Sequence, residues 1–320
     1  MDSLQFPVQV AGVEVESEPQ RLLLIYQLEY MVQRLTFFDG MMVADFADFI
    51  FFILPMNKAG LRDTFTGAVV HDHAYFFVYF FFHEVPPSTI KVMCGRYTLH
   101  KKVDELAKRF NLASVPKDIS ENYNVAPGQV MPVITESDDG KRHLELMKWG
   151  LIPIWAKDPS IGYKLINARD DTIFEKPMWR SVILKKRALI PADGFYEWRK
   201  PLTPKERKQP FYIHPKQIEL FSFAGVWESW KDVEGLVWKT YSIITTEPNK
   251  EMASVHNRMP VILHQDDESS WLSPSNNNDR GGIEPLLRPY EDNGLDLIEV
   301  SEDVNSTRNN DEHLIYALSE

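Results

Sequence analysis

Cys94, the only cysteine of the chain, follows an internal methionine in the run Met93-Cys94-Gly95-Arg96-Tyr97-Thr98. If Met93 is the working start, or the bond after it is cut, Cys94 becomes an N-terminal 1,2-aminothiol. An α-amino group with a pKa near ~8 is partly neutral at physiological pH, whereas a lysine near ~10.4 is not. The neutral amine can condense with an aldehyde to an imine. The thiol, ordinarily near pKa ~8.5, then adds to the same carbon and closes a thiazolidine ring. The competing reading of Cys94 is a small buried hydrophobe, as many free cysteines are.

Four other segments carry polar residues that core packing does not demand. In Ile166-Asn167-Ala168-Arg169, Asn167 offers a donor and an acceptor and Arg169 suits a phosphate in a bidentate fork, against the plainer reading of a turn with a surface arginine. In Gly194-Phe195-Tyr196-Glu197-Trp198, a carboxylate sits among aromatic residues. Shielding there would raise its pKa and let it exchange protons near neutrality, although exposed strand glutamates are common. Val255-His256-Asn257-Arg258 sets a histidine suited to proton shuttling beside a second candidate phosphate clamp. In the apolar run Trp149 to Trp155, Trp155 could stack on a base or wedge into a duplex; the alternative is core packing.

These residues need a scaffold, and the sequence after Cys94 reads as one. Val103, Leu106, Ala107 and Phe110 share one face of a helix expected over about His100 to Asn111. Alternating or continuous apolar runs bounded by turn signals then predict strands at 131–135, 143–149, 187–191, 211–214, 218–227, 238–246 and 259–263. The expected class is α+β, a β-rich single domain with antiparallel strands and few helices. Ser273 to Gly282, with its three consecutive asparagines and two glycines, reads as a polar surface loop. The stretch before Met93 differs: all eight tryptophans lie at or after Trp149, while this first part is rich in phenylalanine. Leu22 to Met31 suggests a helix there, and no fold is assigned to residues 1–92. An extra domain, a removable pro-segment and a misassigned gene start would each produce the contrast.

Composition narrows the classes. The 320 residues are 44% hydrophobic and 12% aromatic, enough for a substantial core. A lone cysteine excludes an internal disulfide framework and a cysteine-based zinc site and fits a reducing compartment. No basic residue precedes Arg21, so no secretory or arginine-rich transit signal is visible, and the expected address is intracellular: the nucleus in a eukaryote, the cytoplasm in a bacterium. The apolar runs Phe49 to Met56 and Ala74 to Phe82 fall short of the ~20 residues that span a bilayer, so no membrane helix is expected. A formal charge of −11 argues against general polyanion binding, but basic residues cluster near the chemically suggestive segments.

Taken together, Met93-Cys94-Gly95-Arg96-Tyr97, Tyr123-Asn124-Val125-Ala126-Pro127-Gly128, Trp149-Gly150-Leu151, Ile166-Asn167-Ala168-Arg169, Pro191 through Trp198 and His256-Asn257-Arg258-Met259-Pro260 resemble the SRAP (SOS response-associated peptidase) family, with Leu286 to Tyr290 and Val304-Asn305 extending the match. The resemblance implies an SRAP catalytic and DNA-binding domain over residues 93–320. It implies action on abasic sites in single-stranded DNA through a covalent thiazolidine crosslink, without cofactor or metal. By resemblance Cys94 is the nucleophile, Asn167 orients the adduct or the amine, Glu197 shuttles protons and His256 assists opening of the sugar. Arg96, Arg169 and Arg258 match positions that hold the DNA backbone, Trp155 lies in the family's wedge loop and Thr245 adds a phosphate contact. Monomer is the expected state. One departure matters: family members begin at the cysteine, whereas here residues 1–93 precede it, and an amide nitrogen cannot form an imine. Activity is therefore expected only once Cys94 is exposed. The rival readings are a cysteine-dependent peptidase or autopeptidase and a non-catalytic reader of modified DNA.

Overall fold

The computed structural model describes residues 95–112, 115, 119–201, 203 and 207–318, together with the backbone of five strands nearer the N-terminus. The chain divides into two compact units, Met1–Ile90 and Lys91–Glu320. In the first, β1 (Thr36–Phe38), β2 (Met41–Phe46), β3 (Phe49–Pro55), β4 (Ala68–His71) and β5 (Ala74–Phe81) pair antiparallel in the order β1-β2-β3-β5-β4. The two apolar runs thus become strands β3 and β5. The helix expected over Leu22 to Met31 lies outside the described residues.

The second unit holds two sheets. One contains β8 (Val130–Glu136), β9 (Arg142–Trp149), β10 (Asn167–Arg169), β11 (Arg187–Ala192), β14 (Phe221–Lys231), β15 (Val237–Thr246), β16 (Met259–Pro260) and β17 (Ile262–Leu263). Its pairings run β15-β9-β8-β11-β14, and β14 pairs back onto β15, so five strands close into a ring. The β15–β9 contact is parallel and the other four are antiparallel. β10 adds in parallel to β15, and β16 and β17 border the ring at β15 and β14. The other sheet is antiparallel in the order β18-β13-β12-β6-β7, with β6 (Arg96–Leu99), β7 (Asn122–Val125), β12 (Gly194–Arg199), β13 (Gln209–Pro215) and β18 (Leu295–Glu299). Among the described residues three short helices accompany them: α1 (Val103–Phe110), α2 (Glu268–Leu272) and α3 (Arg280–Ile283). This is the α+β architecture the sequence predicts.

Helix α1 forms where periodicity places it and buries Leu106 and Phe110. The Lys102 amide donates to the Glu105 carboxylate at 3.0 Å at its start, and Asn111 ends it in the left-handed region at φ 53°. Strands form at all seven expected apolar runs, with β14 spanning Phe221–Lys231 in place of Ile218–Trp227 and the run at 259–263 divided into β16 and β17. The stretch Ser273 to Gly282 is more ordered than a polar loop, containing a 3-10 turn over Pro274–Asn276 and the start of α3. Arg187 supplies the reason. Its buried guanidinium donates to the carbonyls of Trp271 at 2.6 Å and Ser273 at 2.9 Å and to the Asn277 amide oxygen at 3.1 Å, tying this stretch to β11.

An aromatic cluster joins the two sheets. Tyr97 of β6 meets Trp149 edge-on at 5.2 Å and Phe223 at 6.0 Å, and its hydroxyl shares a 2.8 Å hydrogen bond with that of Tyr241. Phe195 of β12 meets Phe223 at 5.9 Å. Edge-to-face contacts of this kind each contribute about 1 kcal/mol beyond the area they bury. Tyr97 lies three residues after Cys94, so the strand that follows the cysteine in sequence is keyed into the core of the ring.

Candidate functional site

β6 and β12 pair antiparallel with Gly194 opposite Thr98, Phe195 opposite Tyr97 and Tyr196 opposite Arg96. Gly194 must be glycine here, because a Cβ would stand 2.2 Å from the Tyr212 ring. Side chains alternate along a strand. Phe195 and Glu197 therefore share the face turned to the ring, while Tyr196 packs with Tyr212, Val300, Val304 and Leu314 on the other. Glu197 is only 3% exposed, one residue past the last registered pair on the side toward Cys94. Cys94 itself lies outside the described residues.

The far end of β6 is clamped by Asp193, a buried carboxylate in the turn between β11 and β12. It accepts the Thr98 hydroxyl and the amides of His100 at 2.6 Å and Lys101 at 3.1 Å. The near end is held by Arg96, whose guanidinium donates to the Asn124 carboxamide at 3.1 Å and the Val304 carbonyl at 2.8 Å. Asn124 in turn donates to the carbonyls of Val304, Ser306 and Asn309 at 3.2, 3.0 and 3.0 Å. Burial pushes the Arg96 guanidinium pKa below its ordinary value. Trp198 donates to Asn305 at 2.9 Å, so the segment after β18 is bound to both β6 and β12.

A second group assembles on β10, β15 and β16. Parallel pairing sets Asn167 opposite Ile243 and Arg169 opposite Thr245, and Thr245 faces Pro260 of β16. Asn167 is half-buried and follows Ile166, whose carbonyl accepts the Trp149 indole at 2.9 Å. Thr245 is fully buried. Arg258 is buried too: its guanidinium donates to Asp170 at 2.5 Å and to the Thr245 carbonyl, while Thr246 donates to the other Asp170 oxygen at 2.7 Å. Arg169 is exposed and forks onto Asp171 at 3.1 and 2.5 Å, a pairing that raises its pKa. His256 is half-buried, with Nδ1 3.3 Å from the Arg258 amide. Burial lowers its pKa, with Lys200 and Lys208 adding to the effect. A neutral imidazole at pH 7 is thus favoured, able to accept a proton.

Trp155 stands apart, 57% exposed at the tip of a loop beside Ile154, which is exposed as well. The loop is fixed at its base: Trp230 donates to the Ala156 carbonyl at 2.7 Å, and the Ala156 amide donates to Pro153 at 2.8 Å. Gly150 opens the segment at φ +118°, and a Cβ there would fall 2.7 Å from the Gly162 carbonyl oxygen. Trp149, at the other end of the same run, is core. Tyr163 is exposed like Trp155, and the Lys148 ammonium sits 5.8 Å from its ring centroid and 5.7 Å from that of Trp238.

The fold therefore sets Asn167, Arg169 and Thr245 on paired strands with His256 and Arg258 in the segment just before β16, places Arg96 and Glu197 on β6 and β12 and raises Trp155 on a separate anchored loop. Sequence reading overlooked three supports: Asp170, which engages Arg258; Asp193, which clamps β6; and Asn124, the hub for the C-terminal segment. Each lies inside or next to a quoted motif, but its partner is distant in sequence, so only the folded chain reveals it. Among the described residues, no group of three or more His, Cys, Asp or Glu could hold a metal ion, and no helix is long and apolar enough to cross a membrane.

This combination of a closed strand ring, a flanking sheet and the ordered motifs coincides with a known class. The family model described as SOS response associated peptidase (SRAP) matches residues 93–307, and the chain belongs to that family. Over 226 residues it is 45% identical to "Abasic site processing protein YoqW" of Bacillus subtilis strain 168, covering 70% of this chain and 99% of that one. It is 31% identical to "Abasic site processing protein HMCES" of Xenopus tropicalis, covering 62% of this chain and 66% of that one. A crystal structure of a protein from Bacteroides thetaiotaomicron superposes with a TM-score of 0.64 at 32% identity, covering 71% of this chain and all of the other.

Proposed function

We propose that this protein processes abasic sites in DNA, and that it does so by capturing the ring-opened sugar aldehyde of a single strand on Cys94. The observation that carries the reading is the buried Glu197 on the strand paired with β6, which begins two residues after Cys94, in a chain whose relatives bear abasic-site names. Once its nitrogen is a free amine, Cys94 attacks C1′ and water leaves as the imine forms. The thiol sulfur then bonds to the same carbon while its proton passes to nitrogen, closing the thiazolidine. Glu197 moves protons in the condensation and its reversal, and His256, neutral near pH 7, assists opening of the sugar ring. Asn167 orients the amine or the adduct. Arg96, Arg169, Arg258 and Thr245 hold or shape the strand's phosphate path, and Trp155 wedges between bases.

Residues 93–320 are the working domain in this reading, acting as a monomer inside the cell, and Cys94 must be freed by initiation at Met93 followed by removal of that methionine, or by cleavage after Met93. Lyase cleavage of the imine and peptidase action on the leader are compatible side activities. The test is incubation of chain beginning at Cys94 with a single-stranded oligonucleotide bearing one abasic site. A heat-stable shifted band that Cys94→Ser abolishes is expected. Peptide turnover without DNA and no adduct would instead favour the peptidase. An adduct formed equally by chain retaining residues 1–92, shown by intact mass, would remove the requirement for a free amine.

A further inference from the structure

The hairpin that carries Glu197 bears a charge pattern that the catalytic reading leaves unused. β12 and β13 pair until Arg199 stands opposite Gln209. The next residue on one side is Lys200 and the preceding one on the other is Lys208, so two lysines flank the hairpin mouth. Arg199 and Arg207 beside them are neutralised: Arg199 lies 3.0 Å from Glu299 and rests on the Phe211 ring at 4.9 Å, and Arg207 lies 3.0 Å from Glu302. Lys200 and Lys208 are exposed, and among the described residues neither has a carboxylate within ion-pair distance. Both act electrostatically on the His256 imidazole, which puts them on the side of the molecule where the candidate site lies.

In a chain of net charge −11, two exposed ammonium groups with no carboxylate partner among the described residues form a local exception beside the site. Long flexible lysine stems supply point charges to phosphates without a fixed fork geometry, which suits a backbone whose path varies with sequence. We propose that Lys200 and Lys208 form a phosphate-binding clamp at the β12–β13 hairpin mouth, engaging the single strand beside the lesion. The clamp rests on the reading that the site takes abasic single-stranded DNA, and adds a stretch of contact on the Glu197 hairpin to the one assigned to Arg96, Arg169, Thr245 and Arg258. It binds backbone and carries no base preference.

The experiment measures the salt dependence of binding to a single-stranded oligonucleotide with one abasic site, using Cys94→Ala chain so that capture does not mask equilibrium. Each phosphate contact to a single strand contributes about 0.7 to the slope of log K against log salt, so Lys200→Gln with Lys208→Gln should flatten it by about 1.4. Each single substitution should give about half of that, and the Lys→Arg pair should keep the original slope. Arg199→Gln with Arg207→Gln, which removes charges already neutralised, should leave it unchanged. Equal slopes for the lysine variants and their parent overturn the clamp, as does an equal flattening by the arginine pair. Failure of the processed Cys94 chain to form an adduct would count against the function itself, independently of these slopes.

Discussion

Arg96 and Tyr196 stand opposite each other across β6 and β12, the last registered pair on the side of the sheet toward Cys94. Arg96 is tied to Asn124 and Val304, and the Tyr196 hydroxyl donates to the Tyr123 carbonyl at 2.9 Å. The ladder is therefore braced at its end. Glu197 inherits that rigidity as the next residue.

Glu197→Gln keeps the shape of the side chain and removes its capacity to exchange a proton. The expected outcome is a fall of about a hundredfold in the rate of adduct formation, with binding of abasic single strand changed by less than about twofold. Single-turnover gels and fluorescence anisotropy read the two quantities separately. A rate that stays at the parent value would remove Glu197 from the chemistry.

Arg258 is sequestered with Asp170 and Thr245, so its removal leaves a partly buried carboxylate without its cation. Arg258→Ala should lower stability by about 3 kcal/mol, and Asp170→Ala by a comparable amount. The double substitution should cost clearly less than the sum of the two, as the shared interaction predicts. Thermal or urea melts of the three variants check this.

Trp155 is mostly exposed, and its loop is held through Ala156 and Gly150 instead of through the indole. Trp155→Ala should leave the melting midpoint within about 0.5 kcal/mol of the parent. It should weaken single-strand affinity by about 1–3 kcal/mol if bases stack on the ring. A large loss of stability with unchanged affinity would show the indole to be a packing element.

His256 has its pKa lowered first by burial, so the folded protein binds this proton less readily than the unfolded chain does. Stability then rises with pH where the unfolded chain carries more proton. The penalty is absent above the ordinary histidine value of ~6.5, accrues as pH falls from there and is complete below the folded value. His256→Gln removes it, so between pH 7 and pH 5 the parent's melting temperature should drop more than the variant's. Parallel curves would show that this imidazole titrates alike in both states.

Much of the ring could be read before folding because its strands are apolar runs: β8, β9, β11, β14 and β15 all lie where alternation or continuous burial placed them. The flanking sheet was less legible. β6, β7 and β12 are built from Arg96, Asn122, Asn124 and Glu197 as much as from apolar residues, so the hydrophobic pattern that marks a strand is diluted there by the polar side chains of the site. β10, three residues long, is too short for any period and exists because Asn167 to Arg169 can pair with β15. The ion pairs that hold the site were invisible for another reason: Asp170 and Arg258 are 88 residues apart in the chain, and no local pattern couples them.

The ring formed by β15, β9, β8, β11 and β14 returns on itself, so among the described residues each of these strands has a paired neighbour on both sides, β9 meeting β15 at Lys148 and Trp149. Interior amides of β14 and β15 can be reached by solvent only when neighbouring segments part together, which places them among the slowest to exchange with deuterium. A perimeter that carries an exposed indole is thereby mounted on a hub that loosens last.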